Sequence, residues 1–499
     1  MKDNGLLVQY FTANTTDSQN LWKKAAEDAA ALKKMGATAV WFPPATKGAQ
    51  GKEDMGYAPY DLYDLGEFDQ KGSVGTRYGT KEEYLAAIKA MKAEGINVYA
   101  DVAVRQKLGA DKIEKVTAAD FNSKDIPQMI GNKKIVGALS KFTFPGRKTK
   151  YSKFKWNWKH FAGIDWQQDE FRKRVCALEG RNPEEAEKEF SKYDYIIGSE
   201  IDFYNQEVYD ELMSWAQWYE KNTDVDGYRF QEAEAIPAWF IKDFVAAVSD
   251  IPVTSRKKTT EDAPEFIHKD IFAVGDFWHW NVDYLNGYIK ATDDQVALFD
   301  VPLHFNFHDA SVADGAYNMA DLLKGSLMMS NPEKAVTFVD NHESQVGGIL
   351  ESYVEDWFKP LAYAVVLLRQ QGYPCLYIGD YAGIPQIKVK SKKTILNKLL
   401  KLRKKYAYGN QHDYFDHSDV VGWTREGDEE HKDSGLAVVM SDGVGGTKRM
   451  YVGRQFAGTH FADVMGNAKY DIKIDEEGCG EFYVNRRGLS VWIKKDCKL

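Results

Sequence analysis

A chain of 499 residues is too long for one hydrophobic core, so we expect two or three domains. Hydrophobic residues make up 44% and charged residues 28% of the chain, which is typical of a globular protein rather than a disordered or fibrous one. The formal net charge of −9 argues against nucleic acid or an anionic membrane as the main partner, because both attract a basic surface.

The cysteines are few and far apart, at Cys176, Cys375, Cys479 and Cys497, and they form no CxxC pair. So sparse a set predicts free thiols in a reducing compartment. The first residues lack the apolar core of a secretion signal, and no apolar run of about 18 residues occurs. We therefore expect a cytoplasmic protein with no membrane partner.

Eight short apolar segments rich in β-forming residues follow one another along the chain. They lie at residues 6–11, 37–42, 96–102, 225–230, 271–278, 296–303, 335–340 and 375–378. Most are continuous rather than alternating, which is typical of strands buried on both faces of a parallel sheet. Segments with helical spacing lie between them, at residues 18–35, 80–94, 206–221 and 236–248. The alternation predicts an α/β fold, the (β/α)8 TIM barrel.

Two departures from this alternation predict further domains. About 120 residues separate the third and fourth predicted strands, far more than the single connecting helix of a barrel needs. After a helical segment at residues 394–406, short strands with glycine turns predict an antiparallel β domain. We therefore expect the three parts to be a barrel of residues 1–102 and 205–408, an inserted domain of residues 103–204 and a C-terminal domain of residues 409–499.

Polar side chains collect where the predicted strands end, and the active sites of such barrels lie at these ends. They are Tyr57 after strand 2, Arg105 and Gln106 after strand 3, Arg229, Gln231, Glu232 and Glu234 at strand 4, Asp276 after strand 5, and His342 and Glu343 after strand 7. Acids that converge with one arginine and one histidine suit carbohydrate acid–base chemistry.

Two segments carry a resemblance to a known family: GYAPYDLYDLGEF at residues 56–68, with QKG at 70–72, and WFKPLAYA at residues 357–364. The chain resembles the α-amylase family of glycoside hydrolases over nearly its whole length, especially the bacterial cytoplasmic and liquefying members. The resemblance implies a barrel, a B domain inserted after strand 3 and a C-terminal antiparallel β-sandwich. It also implies an α-glucan or a related oligosaccharide as partner.

At the three catalytic positions of this family, the sequence differs. The resemblance implies an Asp nucleophile, a Glu acid/base and a stabilising Asp, and the matching residues here are Gln231, Asp276 and Glu343. A neutral amide cannot form the covalent glycosyl ester of the retaining mechanism. Asp276 is one methylene shorter than Glu, and Glu343 is one methylene longer than Asp, so both carboxyl groups are displaced. We expect ordinary retaining amylase activity to be lost or strongly reduced.

Two interpretations follow: a retooled carbohydrate-active enzyme, with Asp276 and Glu343 as acid and base, or a non-catalytic relative that binds α-glucan or serves as a scaffold. Two of the three positions stay carboxylic, and Glu232 and Glu234 add acids beside the third, which favours the enzyme. In the family, the residues matching Arg229, Tyr57 and His342 orient the nucleophile or hold the sugar. Gln106 alters the rim of this sugar site.

Each of these residues also has a purely structural interpretation. Arg229 suits a buried ion pair of the kind that barrels often contain. His342 suits a packing residue. Glu232 and Glu234 suit a solvated helix start, where the helix dipole favours acids.

A metal site is the last property that the resemblance implies. Members of the family hold a structural Ca²⁺ between the barrel and the B domain, with the strand 3 Asn and B-domain acids as ligands. The acids persist as Asp194 and Glu200, but Arg105 stands in place of the Asn. A guanidinium repels a cation and can neutralise the acids itself. We therefore expect no metal ion and no other cofactor.

Overall fold

The core of the molecule is a closed barrel of eight parallel strands. The structure is a computed structural model, and it describes residues 4–14, 20–122, 128–167, 172–180, 198–252, 266–497 and 499. The strands are β1 Leu7–Gln9, β2 Ala39–Phe42, β3 Asn97–Val102, β4 Gly227–Phe230, β5 Phe272–Gly275, β6 Ala297–Phe299, β7 Ala335–Phe338 and β8 Tyr373–Tyr377. Each strand pairs with the next one in chain order, and β8 pairs with β1. The predicted (β/α)8 barrel is confirmed. All residues of β2, β4, β7 and β8 are buried, as their continuous apolar pattern predicts.

Helices surround the barrel and connect its strands. Those of the described residues are α1 Leu21–Met35, α2 Lys81–Ala93, α3 Gln206–Thr223, α4 Ala238–Ser249, α5 Val282–Ala291, α6 Val301–Val312, α7 Leu327–Ser330, α8 Lys359–Leu368, α9 Ile378–Ala382 and α10 Lys393–Tyr406. A capping box is present at α2, as the spacing of Thr80 and Glu83 in the sequence indicates. There, the Thr80 side chain accepts from the Glu83 N–H, and the Glu83 carboxylate accepts from the Thr80 N–H.

One predicted strand is shorter than its apolar pattern indicates. The segment at residues 296–303 ends as a strand at Phe299, because the side chain of Asp300 accepts a hydrogen bond from the Leu303 N–H at 3.1 Å. Pro302 lies in the first turn that follows. Both features favour a helix start, so α6 begins where the strand was expected to continue.

The insertion after β3 forms a sheet of its own. Its six antiparallel strands lie in the order Gln106–Lys107, Ser199–Ile201, Phe161–Gln167, Arg172–Leu178, Lys112–Asn122 and Gln128–Lys141. A buried ion pair links this insertion to the loop after β2, with Arg147 Nε 2.7 Å from an Asp61 carboxylate oxygen. Gln106 and Glu200 are directly opposite each other in the first strand pair, which brings the end of β3 next to the acids of the insertion.

The C-terminal part is an antiparallel β domain, as predicted. Its main sheet has the strand order Gln411–Tyr414, Val420–Arg425, Leu436–Ser441, Leu489–Lys494, His460–Asp463 and Ile472–Lys473. A separate pair, Gly446–Tyr451 with Cys479–Val484, packs on it around a second hydrophobic core. Arg369, just after α8, joins the barrel to this domain through two hydrogen bonds of 2.7 and 2.8 Å to Asp413.

The remaining short elements lie in loops of the barrel, the insertion and the C-terminal domain. Two-stranded pairs are Lys47–Gly48 with Pro59–Asp61 and Asp250–Pro252 with Phe266–His268, and single 3-10 turns occur at Gly51–Glu53, Trp158–His160, Ala233–Ala235, Met319–Asp321, Pro385–Ile387 and Arg454–Phe456. The four cysteines form no disulfide. Across the described ranges, every helix is too short or too polar to cross a bilayer.

A lysine is enclosed in the hydrophobic part of the insertion, which the sequence pattern did not indicate. Lys107 is 1% exposed, and its Nζ has no hydrogen-bond partner among the described residues. The ammonium group lies 5.2, 5.7 and 5.1 Å from the ring centroids of Phe142, Phe144 and Trp156. Burial lowers the pKa of Lys107 to about 7, because the charged form loses its hydration there.

Replacing this lysine by an apolar residue is expected to stabilise the protein in a pH-dependent way. The pKa of a lysine in the unfolded chain is about 10.4, so below that pH folding must expel the proton or bury the charge. Lys107→Met should therefore raise the melting temperature most below about pH 7, and the gain should shrink as the pH rises toward the unfolded pKa. Thermal unfolding at pH 6 and pH 9.5 measures this difference. The exposed Lys112→Met is the matched control, and an equal gain at both pH values would contradict the expectation.

Candidate functional site

Arg229 lies at the centre of the barrel mouth, where the strands end. It is fully buried on β4, directly beside Asp101 of β3 in the strand register. Its Nη1 donates to both Asp101 oxygens at 3.0 and 3.1 Å, and its Nη2 donates to Asp276 just after β5. The guanidinium also lies 4.7 Å from the centroid of Trp41. The structural interpretation of Arg229 as a buried ion-pair residue therefore agrees with its contacts.

Asp101 organises the aromatic side of the mouth, although the sequence did not single it out as a site residue. Its Oδ2 accepts hydrogen bonds from Trp41 Nε1 at 3.0 Å and from the Tyr57 hydroxyl at 2.8 Å. Burial raises the pKa of Asp101, and the attraction of Arg229 opposes this shift. The signal that could have revealed it is an acid within an otherwise apolar barrel strand.

Tyr57 and His342 form a stacked pair at the mouth. Their ring centroids are 5.2 Å apart at an interplanar angle of 18°. The Gln9 amide donates to His342 Nδ1 at 3.0 Å, which places the imidazole proton on Nε2. Burial and the charge of Arg229 lower the pKa of His342 well below its usual range. His342 is thus a neutral ring whose Nε2 lies 4.0 Å from a Glu343 carboxyl oxygen.

The 3-10 turn after β4 positions two acids. Glu232 has a left-handed backbone at φ 48°, and the Ala233 N–H donates to the Asp276 carbonyl at 2.8 Å. Helix α4 begins only at Ala238, so Glu232 precedes a short turn and Glu234 lies within it, and neither starts a helix. The Glu234 carboxyl oxygen Oε2 is buried, so the alternative of a solvated helix start is wrong for this residue.

The carboxyl groups of the mouth differ in their electrostatic environments. Asp276 is 4% exposed and is ion-paired with Arg229. Burial and the charge of Asp276 raise the pKa of Glu343 well above its usual range. Burial, with Asp276 and Glu232, raises the pKa of Glu234 to about 8. The mouth therefore combines an acid that is ion-paired with Arg229 with two carboxyl groups whose pKa values are raised.

The two glutamines lie on either side of these acids. Gln231 is 8% exposed, and its backbone N–H donates to the Val102 carbonyl at 3.1 Å, which fixes it at the end of β4. Gln106 donates from its side-chain amide to the Tyr57 carbonyl at 3.3 Å. This contact holds the start of the insertion against the loop that carries Tyr57.

Arg105 places a positive charge between acids of the barrel and of the insertion. Its Nη1 donates to Glu232 at 3.0 Å, and its Nε lies 3.7 Å from Glu200. The side chain is 11% exposed, so this charge is largely shielded from water. Asp194, which the sequence places in the same acid group, lies outside the described residues.

Several polar atoms of the mouth are buried and have no hydrogen-bond partner within the described ranges. They are Gln106 Oε1, Glu234 Oε2, Asp276 Oδ1 and His342 Nε2. Leaving such an atom unpaired costs about 1–3 kcal/mol. Buried polar groups are otherwise nearly always paired, so a concentration of exceptions indicates a place where a hydroxyl-rich ligand or water completes the bonding. The structure thus brings together at one mouth the residues selected at the strand ends, whereas Asp194 lies outside the described residues.

Comparisons with known proteins agree with this architecture. A family model described as the alpha amylase catalytic domain matches residues 25–427, and a second, the alpha-amylase C-terminal domain, matches residues 436–493. An α-amylase of Geobacillus stearothermophilus is 45% identical over 495 residues, which cover 99% of this chain and 87% of that protein. The cytoplasmic α-amylase of Escherichia coli is 36% identical over 506 residues, which cover 98% and 99%.

Solved structures share the fold at low sequence identity. A cyclomaltodextrin glucanotransferase with a three-domain ABC distribution has a TM-score of 0.64 and 17% identity, with 100% of both chains covered. An α-amylase of Geobacillus thermoleovorans, complexed with acarbose, has a TM-score of 0.60 and 16% identity, with 99% of both chains covered. From the family matches and the close relatives, the chain belongs to the α-amylase family of glycoside hydrolases.

Proposed function

We propose that this protein is a carbohydrate-active enzyme that binds an α-glucan or a related oligosaccharide at the barrel mouth and does not use the covalent retaining route. The observation that carries the proposal is that two carboxyl groups of the mouth have different electrostatic environments. Asp276 is bound to Arg229, whereas burial and Asp276 raise the pKa of Glu343. Relatives named α-amylases and a structural neighbour complexed with acarbose support the substrate class.

The proposed chemistry assigns one role to each carboxyl group. Glu343, whose pKa is raised well above its usual range by burial and by Asp276, donates a proton to the oxygen of the leaving sugar. Asp276, held as a carboxylate by Arg229, accepts a proton from the attacking water. Gln231 binds the sugar through its amide, since it has no carboxylate for a glycosyl ester. This single displacement inverts the anomeric configuration.

A second candidate is a non-catalytic α-glucan-binding protein. It is favoured by the Asp101–Arg229–Asp276 group, in which both acids are already ion-paired with Arg229 without a ligand. In that case the mouth would bind sugar through its aromatic stack and unpaired polar atoms alone. The two candidates differ in product formation, not in binding.

Product formation is expected to depend on both proposed catalytic acids. Wild-type protein incubated with a panel of α-glucans and oligosaccharides should release product with no trapped covalent intermediate, and Asp276→Asn and Glu343→Gln should each abolish release. Chromatography of the products and their anomeric configuration measure this. Binding without any product would support the second candidate.

The same assay tests why ordinary amylase activity is expected to be absent. Gln231→Asp alone should not restore it, because Asp276 remains one methylene short, a misplacement that costs about a hundredfold. The triple variant Gln231→Asp, Asp276→Glu, Glu343→Asp should be much faster on starch. Full activity of the single variant, or starch hydrolysis by the wild type through a trapped glycosyl ester, would contradict this.

Binding is expected to depend on the ring of Tyr57. Removal of the ring in Tyr57→Ala should weaken oligosaccharide binding about tenfold, since the stacked face against His342 is lost. Tyr57→Phe is the control: it keeps the ring and removes only the bond to Asp101. Calorimetry with maltodextrins and related oligosaccharides gives both affinities, and no binding to any of them would exclude a carbohydrate role for the mouth.

The residues at the family's calcium position do not fit a cation, and we propose that none binds there. Arg105 already brings a positive charge to Glu232 and Glu200, and a guanidinium provides no oxygen ligand. The guanidinium would repel Ca²⁺ and perform its neutralising role.

Stability is therefore expected to be insensitive to chelators. Thermal melting curves with and without EDTA should coincide, whereas Arg105→Asn should melt several degrees lower unless calcium is supplied, because two acids lose their partner. Arg454→Gln, an exposed arginine of the C-terminal domain, is the control for general charge effects. A large drop of the wild-type melting temperature on chelation would show that calcium is bound.

A further inference from the structure

A second cleft opens at the opposite end of the barrel from the mouth, where the strands begin. Its volume is about 1030 Å³, at the upper end of the range for small-molecule sites. Phe272, Ala297 and Tyr373, the first residues of β5, β6 and β8, line it together with Arg403 of α10 and Arg425 of the C-terminal sheet. The cleft therefore lies between the barrel and the C-terminal domain.

Two buried guanidinium groups lie in this cleft. Arg403 is 6% exposed and donates to the carbonyls of Leu367 at 2.6 Å and Gly5 at 2.8 Å, while its Nε has no partner. In the described part of the chain, no carboxylate lies within ion-pair distance of Arg403. Arg425 is 5% exposed, and its Nε donates to the Gly409 carbonyl at 3.0 Å. The buried charge of Arg403, held by carbonyl oxygens, is costly unless an anion completes the site.

The two arginine side chains of the cleft lie in its interior, and the acidic side chains lie at its rim. Arg403 and Arg425 both line the cleft. Burial and the charge of Arg425 lower the pKa of Arg403 to about 10, so Arg403 remains charged at neutral pH. The acids of the lining, Glu333 and Asp428, are exposed, and Asp428 pairs with His431 at 2.8 Å. The interior of the cleft is therefore positive and its rim is mixed.

We propose that this cleft binds a phosphate monoester of a sugar, with the phosphate against Arg403 and Arg425. Two planar guanidinium groups match a doubly charged phosphate in charge and in bidentate geometry. Side-chain amides of Gln295 and Gln371 line the same cleft and suit the hydroxyl groups of a sugar. The volume of the cleft is much larger than inorganic phosphate alone requires.

Titration calorimetry on the wild-type protein tests this with glucose 6-phosphate and inorganic phosphate as probes. Glucose 6-phosphate should bind and raise the melting temperature, inorganic phosphate should bind about tenfold more weakly, and saturating maltoheptaose should displace neither. Arg425→Gln should weaken the ester at least tenfold, and Arg454→Gln, outside the cleft, should not change it.

Several outcomes would overturn the proposal. They are absence of binding of both probes at millimolar concentration, displacement by maltoheptaose, and unchanged affinity in Arg425→Gln. Equal affinity for the two probes would show a site for free phosphate rather than for an ester. If Arg425→Gln does not fold, Arg425→Lys keeps the charge but loses the planar fork, and wild-type affinity in that variant would also overturn the proposal.

Discussion

The mouth of this barrel depends on one buried cation, the guanidinium of Arg229. It lies between Asp101 on one neighbouring strand and Asp276 at the end of the other, and all three groups are removed from water. Loss of any one of them would leave an uncompensated buried charge, which is far more costly than the pair is stabilising. Because Gln231 is neutral, Asp276 provides the second negative charge that Arg229 needs.

The charges around Arg229 also affect the carboxyl groups that lie further out in the mouth. The carboxyl groups around Asp276 lie too close together in a poorly hydrated space to be ionised at once, so the pKa values of Glu234 and Glu343 rise. Arg105 reduces the excess of negative charge at the rim through Glu232 and Glu200. Arg105, which lies just after β3, thus also links the inserted sheet to the barrel.

The two ends of the barrel have opposite character. Acids dominate the mouth, whereas Arg403 and Arg425 form the interior of the cleft where the strands begin. This polarity separates a site suited to a neutral, hydroxyl-rich chain from one suited to an anion. It arises because the loops after the strands and the C-terminal domain contribute side chains to different ends of one scaffold.

Local pattern in the sequence determined the architecture and indicated the candidate site residues. Continuous apolar segments alternating with helical ones specify the barrel, and Gln231, Asp276 and Glu343 follow from their positions after β4, β5 and β7. Only the tertiary structure decided the partners: Arg229 with Asp276, 47 positions apart, and Arg105 with Glu232, 127 positions apart. Such contacts, like the raised pKa of Glu343, depend on burial and on charges brought together by the folded chain, and no local pattern encodes them.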